Sequence, residues 1–449
     1  MTRKGPSQPN AEVSPRKTLL TYRLPMLPAT TIAMRMVLFD QSVRDFLQLN
    51  GLAPWEAKEL VIKHANLPVL EEGNLGLHLV TQARQIQVEK GVRLRDIAAY
   101  HAGLKSPESD WADDPVSTPA EVDVGKDATD EAPRSESGGS MWHPPRTALV
   151  ISPTYMRTER NFYALDRWLG VPIDHDRFVE FNEAGDLTRD VPGSMIQIPM
   201  LVVAFPETFT LRELCREIRL QLRRKLALLA QQGNVVLPAS ELIVSPYIPD
   251  PEDVRDELFD HGVSTLVVLG FAKRHVKLAD NRYAPGIWNF LRHLVRDGID
   301  LWVQGTPALI DMLKYDDVWQ LFPQGVHSIS TLRLDEVATY MSYYWGVIGI
   351  DAPMPDEFVQ LAAVGAYQRG LIEHLCLDFN RRVNGRNEEW RTALQASSNA
   401  LTGDMKRLRN LLACAIDGTA IALSDALRYQ DELPLGFKIK ATRTGGKKS

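Results

Sequence analysis

Four short apolar runs, each followed by a stretch of helical spacing, constrain this chain more than any other feature. "TALVIS" (147–152) is followed by an aromatic-studded helix candidate, and "IPMLVVAF" (198–205) by "TLRELCREIRLQLRRKLALLAQQG". "STLVVLGF" (264–271) precedes "PGIWNFLRHLVRDG", and "IDLWVQGT" (299–306) precedes "PALIDMLKY". A strand that faces solvent on one side alternates apolar with polar residues; one buried on both faces does not. Continuous runs alternating with helices therefore predict an α/β fold, a parallel sheet covered by helices on both faces.

Outside that region the pattern is helical. Residues 1–20 form a polar, mildly basic lead of disordered composition, and 21–104 read as an N-terminal helical domain. Within it "RLRDIAAYHAG" could close a DNA-reading helix-turn-helix, although short amphipathic helices are common in any protein. Residues 105–145 are rich in Pro, Ser, Asp and Glu and nearly free of aliphatic side chains, which predicts an acidic flexible linker. The α/β core then spans 146–334, a helical lid 335–432, and a basic, frayed tail 433–449.

With 51 basic and 57 acidic residues the chain has the balance of a globular protein, and a net charge of −6 does not advertise nucleic acid. Cys215, Cys376 and Cys414 sit apart in apolar stretches, so neither a disulfide framework nor a cysteine metal site is indicated. The N-terminus lacks a secretory apolar core, and no run approaches the roughly 20 residues of a membrane helix. The expectation is a cytoplasmic protein without membrane contact.

The order of segments resembles the AAA+ ATPases, and among them the TnsC/TniB regulators of transposition. "FLRHLVRDGIDLWVQGTPALIDML" looks like that group's helix and sensor-1 strand, ending in a Gly305-Thr306-Pro307 turn. "IPMLVVAFPETFTLRELCREIRLQL" looks like its second strand, extended turn and helix. "AYQRGLIEHLCLDFNRR" resembles a lid helix, and "LTGDMKRLRNLLACAIDG" the C-terminal helix. The resemblance implies a P-loop NTPase-type, AAA+-like core with a helical lid.

Nucleotide chemistry has firm requirements: inward backbone N–H groups at glycines, a lysine for the phosphates and a hydroxyl for Mg²⁺. On the pattern G-x-x-x-x-G-K-[ST], "ISPTYMRTE" places Ser152, Arg157, Thr158 and Glu159 at the four defining positions, and Tyr155 where the group often has another glycine. A bulky Arg157 at an αL-type turn argues against an intact phosphate nest, and Glu159 would repel phosphate. The acidic pair expected at the end of the third strand falls on Gly270 and Phe271, which can neither ligate a metal nor take a proton. No Lys or Arg lies between Lys314 and Arg333, where the resemblance implies an arginine finger. Three parts of the machinery are missing together, which points to a pseudo-ATPase with no catalytic residue and no cofactor.

Other candidate sites are weaker. Asp174, His175 and Asp176 form a polar cluster that reads as a solvated loop rather than a metal site. His275 follows the third strand in a stretch with Lys273, Arg274, Lys277 and Arg282, either a phosphate- or DNA-facing loop or a solvated one. On the helix after the second strand, Arg212, Arg216, Arg219, Arg223, Arg224 and Lys225 line the side opposite its apolar face. The resemblance suggests DNA contacts there; interleaved Glu213 and Glu217 favour a salt-bridged surface instead. No Gly-x-Ser-x-Gly, His-Glu-x-x-His or Gly-x-Gly-x-x-Gly motif is present.

The expectation is a non-hydrolysing AAA+-like accessory protein of DNA transposition, binding a transposase, an active ATPase partner or DNA, and able to oligomerise. The alternatives are a divergent ATPase using Arg157 and a neighbouring subunit, or an unrelated α/β interaction protein.

Overall fold

A computed structural model describes residues 53–64, 70–89, 147–181, 187–231, 249–279, 284–314, 318, 320–323 and 326–440. The expected lead and acidic linker lie outside these residues.

Five strands form one sheet, ordered β4-β5-β6-β1-β7: β1 (Thr147–Ile151), β4 (Met200–Ala204), β5 (Thr265–Phe271), β6 (Asp300–Gly305) and β7 (Val326–Ser328). Every neighbouring pair is parallel. Successive side chains point to opposite faces, and both faces are buried. Leu149 and Ile151 of β1 join Leu201, Val203, Leu266, Val268, Leu301 and Val303 on one side. Ala148 and Val150 join Met200, Val202, Val267, Leu269 and Trp302 on the other. That double burial explains the continuous apolar runs, and each fully buried aliphatic contributes about 1.5–3 kcal/mol.

The first face is covered by α4 (Leu211–Gln231), α5 (Pro251–Asp260) and α7 (Ala284–Arg296), through residues such as Leu214, Ile218, Val254 and Leu291. Between the last two, α6 (Lys273–Ala279) follows β5 directly. The second face is covered by α3 (Glu159–Leu169) and by α2 (Leu70–Glu89), which contributes Leu75, Leu79 and Val80. At the β4 edge, Lys225 of α4 donates to Asp166 of α3 at 2.8 Å and to the Gly170 carbonyl at 2.7 Å. Local signals set the helix ends: Asp250 caps α5 by accepting from Glu252 N at 2.9 Å, with Pro251 in the first turn.

One element differs from the sequence expectation. Asp174, His175 and Asp176 do not form a loop; they lie in β2 (Ile173–Phe181), antiparallel to β3 (Leu187–Gln197) in a separate two-stranded sheet. A hairpin outside the main sheet has no need of a continuous apolar run, so its strands read as polar.

The helical region holds α8 (Leu334–Ile348), α9 (Asp356–Val364), α10 (Arg369–Asn380), a π-turn (Arg381–Gly385), α11 (Trp390–Ser397), α12 (Gly403–Ile416) and α13 (Leu423–Arg428). Its centre is α10, whose Leu371, Ile372, Leu375, Cys376 and Phe379 are buried. Into the same core packs Ile62 of α1 (Pro54–His64). The described part of the N-terminal region is thus shared out, α1 to the lid and α2 to the sheet. The start of the tail is not frayed either: Ile421 N donates to Lys438 O at 2.7 Å, and Lys440 N to Ile421 O at 2.8 Å. The five-stranded parallel sheet, flanking helices and helical lid agree with the AAA+-like α/β layout that the sequence implies.

Candidate functional site

Ligands of open α/β sheets bind beyond the carboxyl ends of the strands. Here those ends are Ile151 of β1, Phe271 of β5 and Gly305 of β6, and the expected site residues gather around them. Ser152 is buried, its N–H donating to Gly305 O at 3.0 Å. Gln304 of β6 ties the strands together: its amide donates to Ser152 Oγ at 3.3 Å and accepts from Gly270 N at 3.0 Å.

Gly270 has φ +83°, and the β5–β6 register shifts between Val268 and Phe271. The two positions where acids were expected are therefore a local bulge and a buried aromatic. Phe271 packs with Phe205, Phe209, Trp288 and His275. The Gly305-Thr306-Pro307 turn needs its glycine, because a Cβ there would lie 2.8 Å from Phe271 O. Thr306 N donates to that same carbonyl at 2.8 Å, and Pro307 opens a 3-10 turn.

The loop after β1 is closed rather than cradle-shaped. Its 3-10 turn, Thr154–Met156, ends at Arg157 with φ 53°, the left-handed conformation expected to demand glycine. The arginine is held there by its contacts with the lid. Three loop N–H groups are already committed: Thr154 to Asp431 O, Met156 to Pro153 O and Arg157 to Thr154 O, at 2.9, 2.8 and 3.3 Å. Tyr155 leans into the lid core. A Cβ on Gly370, at the start of α10, would lie 2.9 Å from Tyr155 Cδ1 and 3.0 Å from Arg157 Nε. Arg157 and Arg160 both meet Glu373 of α10, at 3.4 and 2.6 Å. Loss of hydration raises the pKa of both Glu373 and Glu159 above the ordinary glutamate value, against the pull of the neighbouring arginines. Thr158, at the lysine position, is buried.

A residue not anticipated from the sequence completes the closure. Asp431, just past α13, accepts from Lys273 N at 2.8 Å and from Thr306 Oγ1, while its carbonyl accepts from Thr154 N and Oγ1. One short segment of the lid thus occupies the ground between β1, β5 and β6. Lys273 Nζ adds a bond to Leu427 O. These residues fit a nucleotide with its metal poorly: three of the loop's N–H groups are spent within the chain, and the Asp431 carboxylate sits between the strand ends on Lys273 N and Thr306 Oγ1.

His275 is neither a phosphate contact nor solvated. It is buried among Phe205, Phe209, Phe271 and Trp288, with Nδ1 accepting from Ala272 N at 2.9 Å. Burial, helped by Arg274, lowers its pKa to about 4. Arg274 itself is exposed beside Glu207 at 3.4 Å. The α4 stripe divides. Arg219 and Arg223 hold Glu257 of α5 at 2.8 and 3.2 Å, and Lys225 is buried on Asp166. Arg212, Arg216 and Arg224 stay exposed, Arg216 3.5 Å from Glu213. Arg282 and the side chain of Lys277 lie outside the described residues. No group of three or more His, Cys, Asp or Glu side chains among the described residues could hold a metal ion. No described helix is long and apolar enough to cross a membrane.

No protein-family model matches the chain, and no curated protein matches it. Among solved structures it is similar to a Walker-type ATPase of Pyrococcus abyssi, at 12% sequence identity and a TM-score of 0.37. That similarity spans 61% of this chain and 73% of the other.

Proposed function

We propose that this chain is a non-hydrolysing, AAA+-like accessory protein that acts by binding. The observation carrying this reading is Asp431, whose side chain and carbonyl engage the ends of all three strands where an NTPase would place phosphate and metal. The closed loop from Ser152 to Glu159 and the non-acidic Gly270-Phe271 support it. The resemblance to TnsC/TniB regulators makes a transposase, an active AAA+ ATPase or DNA the proposed partner, with Arg212, Arg216, Arg224 and Arg274 exposed among the cations expected to meet phosphate.

Thermal stability tests the nucleotide half. A ligand present at 100 times its Kd stabilises a fold by about 2.7 kcal/mol, a shift of several degrees. Millimolar Mg·ATP should leave Tm unchanged; a shift that saturates with concentration would overturn the reading. Co-purification with the product of an adjacent transposase gene tests the partner half, and consistent absence of such a gene across related genomes would remove transposition from it.

A further inference from the structure

The first turn of α10 meets three different parts of the molecule through neighbouring residues. Arg369 is buried and donates through Nη2 to Glu72 of α2, itself fully buried. Gly370 lets Tyr155 and Arg157 of the closed loop approach closely. Glu373, one turn on, binds Arg157 and Arg160. Arg369 Nε and Nη1 have no hydrogen-bond partner among the described residues, so its hydrogen bond to Glu72 fixes it, with the Glu373 carboxylate adding to the field around it.

The turn before α10 is strained and pinned. Ala366 and Tyr367 have φ 49° and 55°, unfavourable for residues with side chains. Gln368 Nε2 donates to Ser330 O at 2.7 Å, and Leu332 N to Tyr367 O at 2.9 Å. Arg369 thus lies between a turn tied to Ser330 and Leu332 on one side and the loop residues Tyr155 and Arg157 on the other.

The partner of Arg369 belongs to a segment that grips both halves of the molecule. In α1, Lys58 Nζ donates to Ile348 O at 2.6 Å, Glu59 pairs with Arg381, and the Trp55 carbonyl accepts from Asn380 Nδ2 at 3.0 Å. In α2, Leu75, Leu79 and Val80 lie against the sheet face with Phe162 and Trp302. We propose that α1 and α2 form a strap that fixes the lid on the sheet, and that the first turn of α10 transmits its engagement to the loop 152–158. A partner that pulls on the N-terminal region would thereby loosen the closed loop from a distance. Coupling of this kind needs an element with two arrangements that both sites bias, here α10 seated or unseated.

Hydrogen exchange on the full chain tests this. The Arg157, Arg160 and Asn161 N–H groups, bonded to Thr154 O, Arg157 O and Thr158 O, report on the loop. Glu72 makes none of these bonds. Glu72→Gln should speed their exchange roughly tenfold or more while the amides of β5 and β6 keep their protection. Lys58→Ala, which leaves the buried pair intact, should act in the same direction more weakly and covers the case in which Glu72→Gln fails to fold. Loop protection that is unchanged in Lys58→Ala, or lost only in step with β5 and β6, would overturn the strap.

Discussion

Lowering the pH should reveal His275 as a buried neutral base. Its pKa in the fold is about 4 against an ordinary value of 6.5, because burial and Arg274 both disfavour the charged ring. Between those values the unfolded chain binds the proton and the folded one does not. Stability from this group is therefore complete well above pH 6.5, begins to fall near that value and is lost as pH falls toward 4. The gap of about 2.5 pH units, at about 1.4 kcal/mol each, sets a ceiling of about 3 kcal/mol, of which about 2 is lost by pH 5. Glu373, Glu159, Asp166 and Glu432 are shifted upward by burial and push the other way, so wild type alone is not diagnostic. The informative quantity is its difference from His275→Asn, which cannot titrate and keeps an acceptor near the Ala272 N–H. Urea unfolding followed by tryptophan fluorescence should show a constant difference from pH 8.5 to 7.5 and a fall of about 2 kcal/mol by pH 5. Parallel curves would refute the buried neutral histidine.

Other outcomes follow from the same contacts. Asp431→Ala leaves Lys273 N and Thr306 Oγ1 without their acceptor and should cost about 2–3 kcal/mol in urea unfolding, with Asp431→Asn intermediate. Gly370→Ala should cost about 1–3 kcal/mol through Tyr155, and Tyr155→Ala should relieve it in a double-mutant cycle. Gly305→Ala meets a backbone carbonyl that no side-chain rotation relieves, so it should be the worse of the two by Tm. If DNA is the partner, alanine at Arg212, Arg216 and Arg224 should flatten the salt dependence of binding by roughly 0.9 per lost phosphate contact. Lys225→Ala should instead lower Tm, because it unpairs Asp166.

The sheet was legible because double burial writes itself into each strand as an unbroken apolar run. The hairpin β2–β3 was not, since neither strand shows such a run. At the site, the missing lysine, glycines and acids were readable because phosphate chemistry demands residue types at fixed local spacing. What replaced them was not. Thr154 meets Asp431 across 277 residues, Arg160 meets Glu373 across 213, and Arg369 meets Glu72 across 297. No periodicity announces such partners. The α4 stripe shows the same limit: six cations look alike on a helical wheel, yet Glu257 and Asp166, on other helices, claim three of them.

The central claim is that the strand ends are closed by the chain itself and take no nucleotide. Equilibrium titration of a fluorescent ATP analogue with Mg²⁺ into the intact chain tests it most directly. No saturable binding should appear up to millimolar nucleotide. Micromolar binding that Arg157→Ala abolishes would contradict the account and restore the loop after β1 as a working phosphate site.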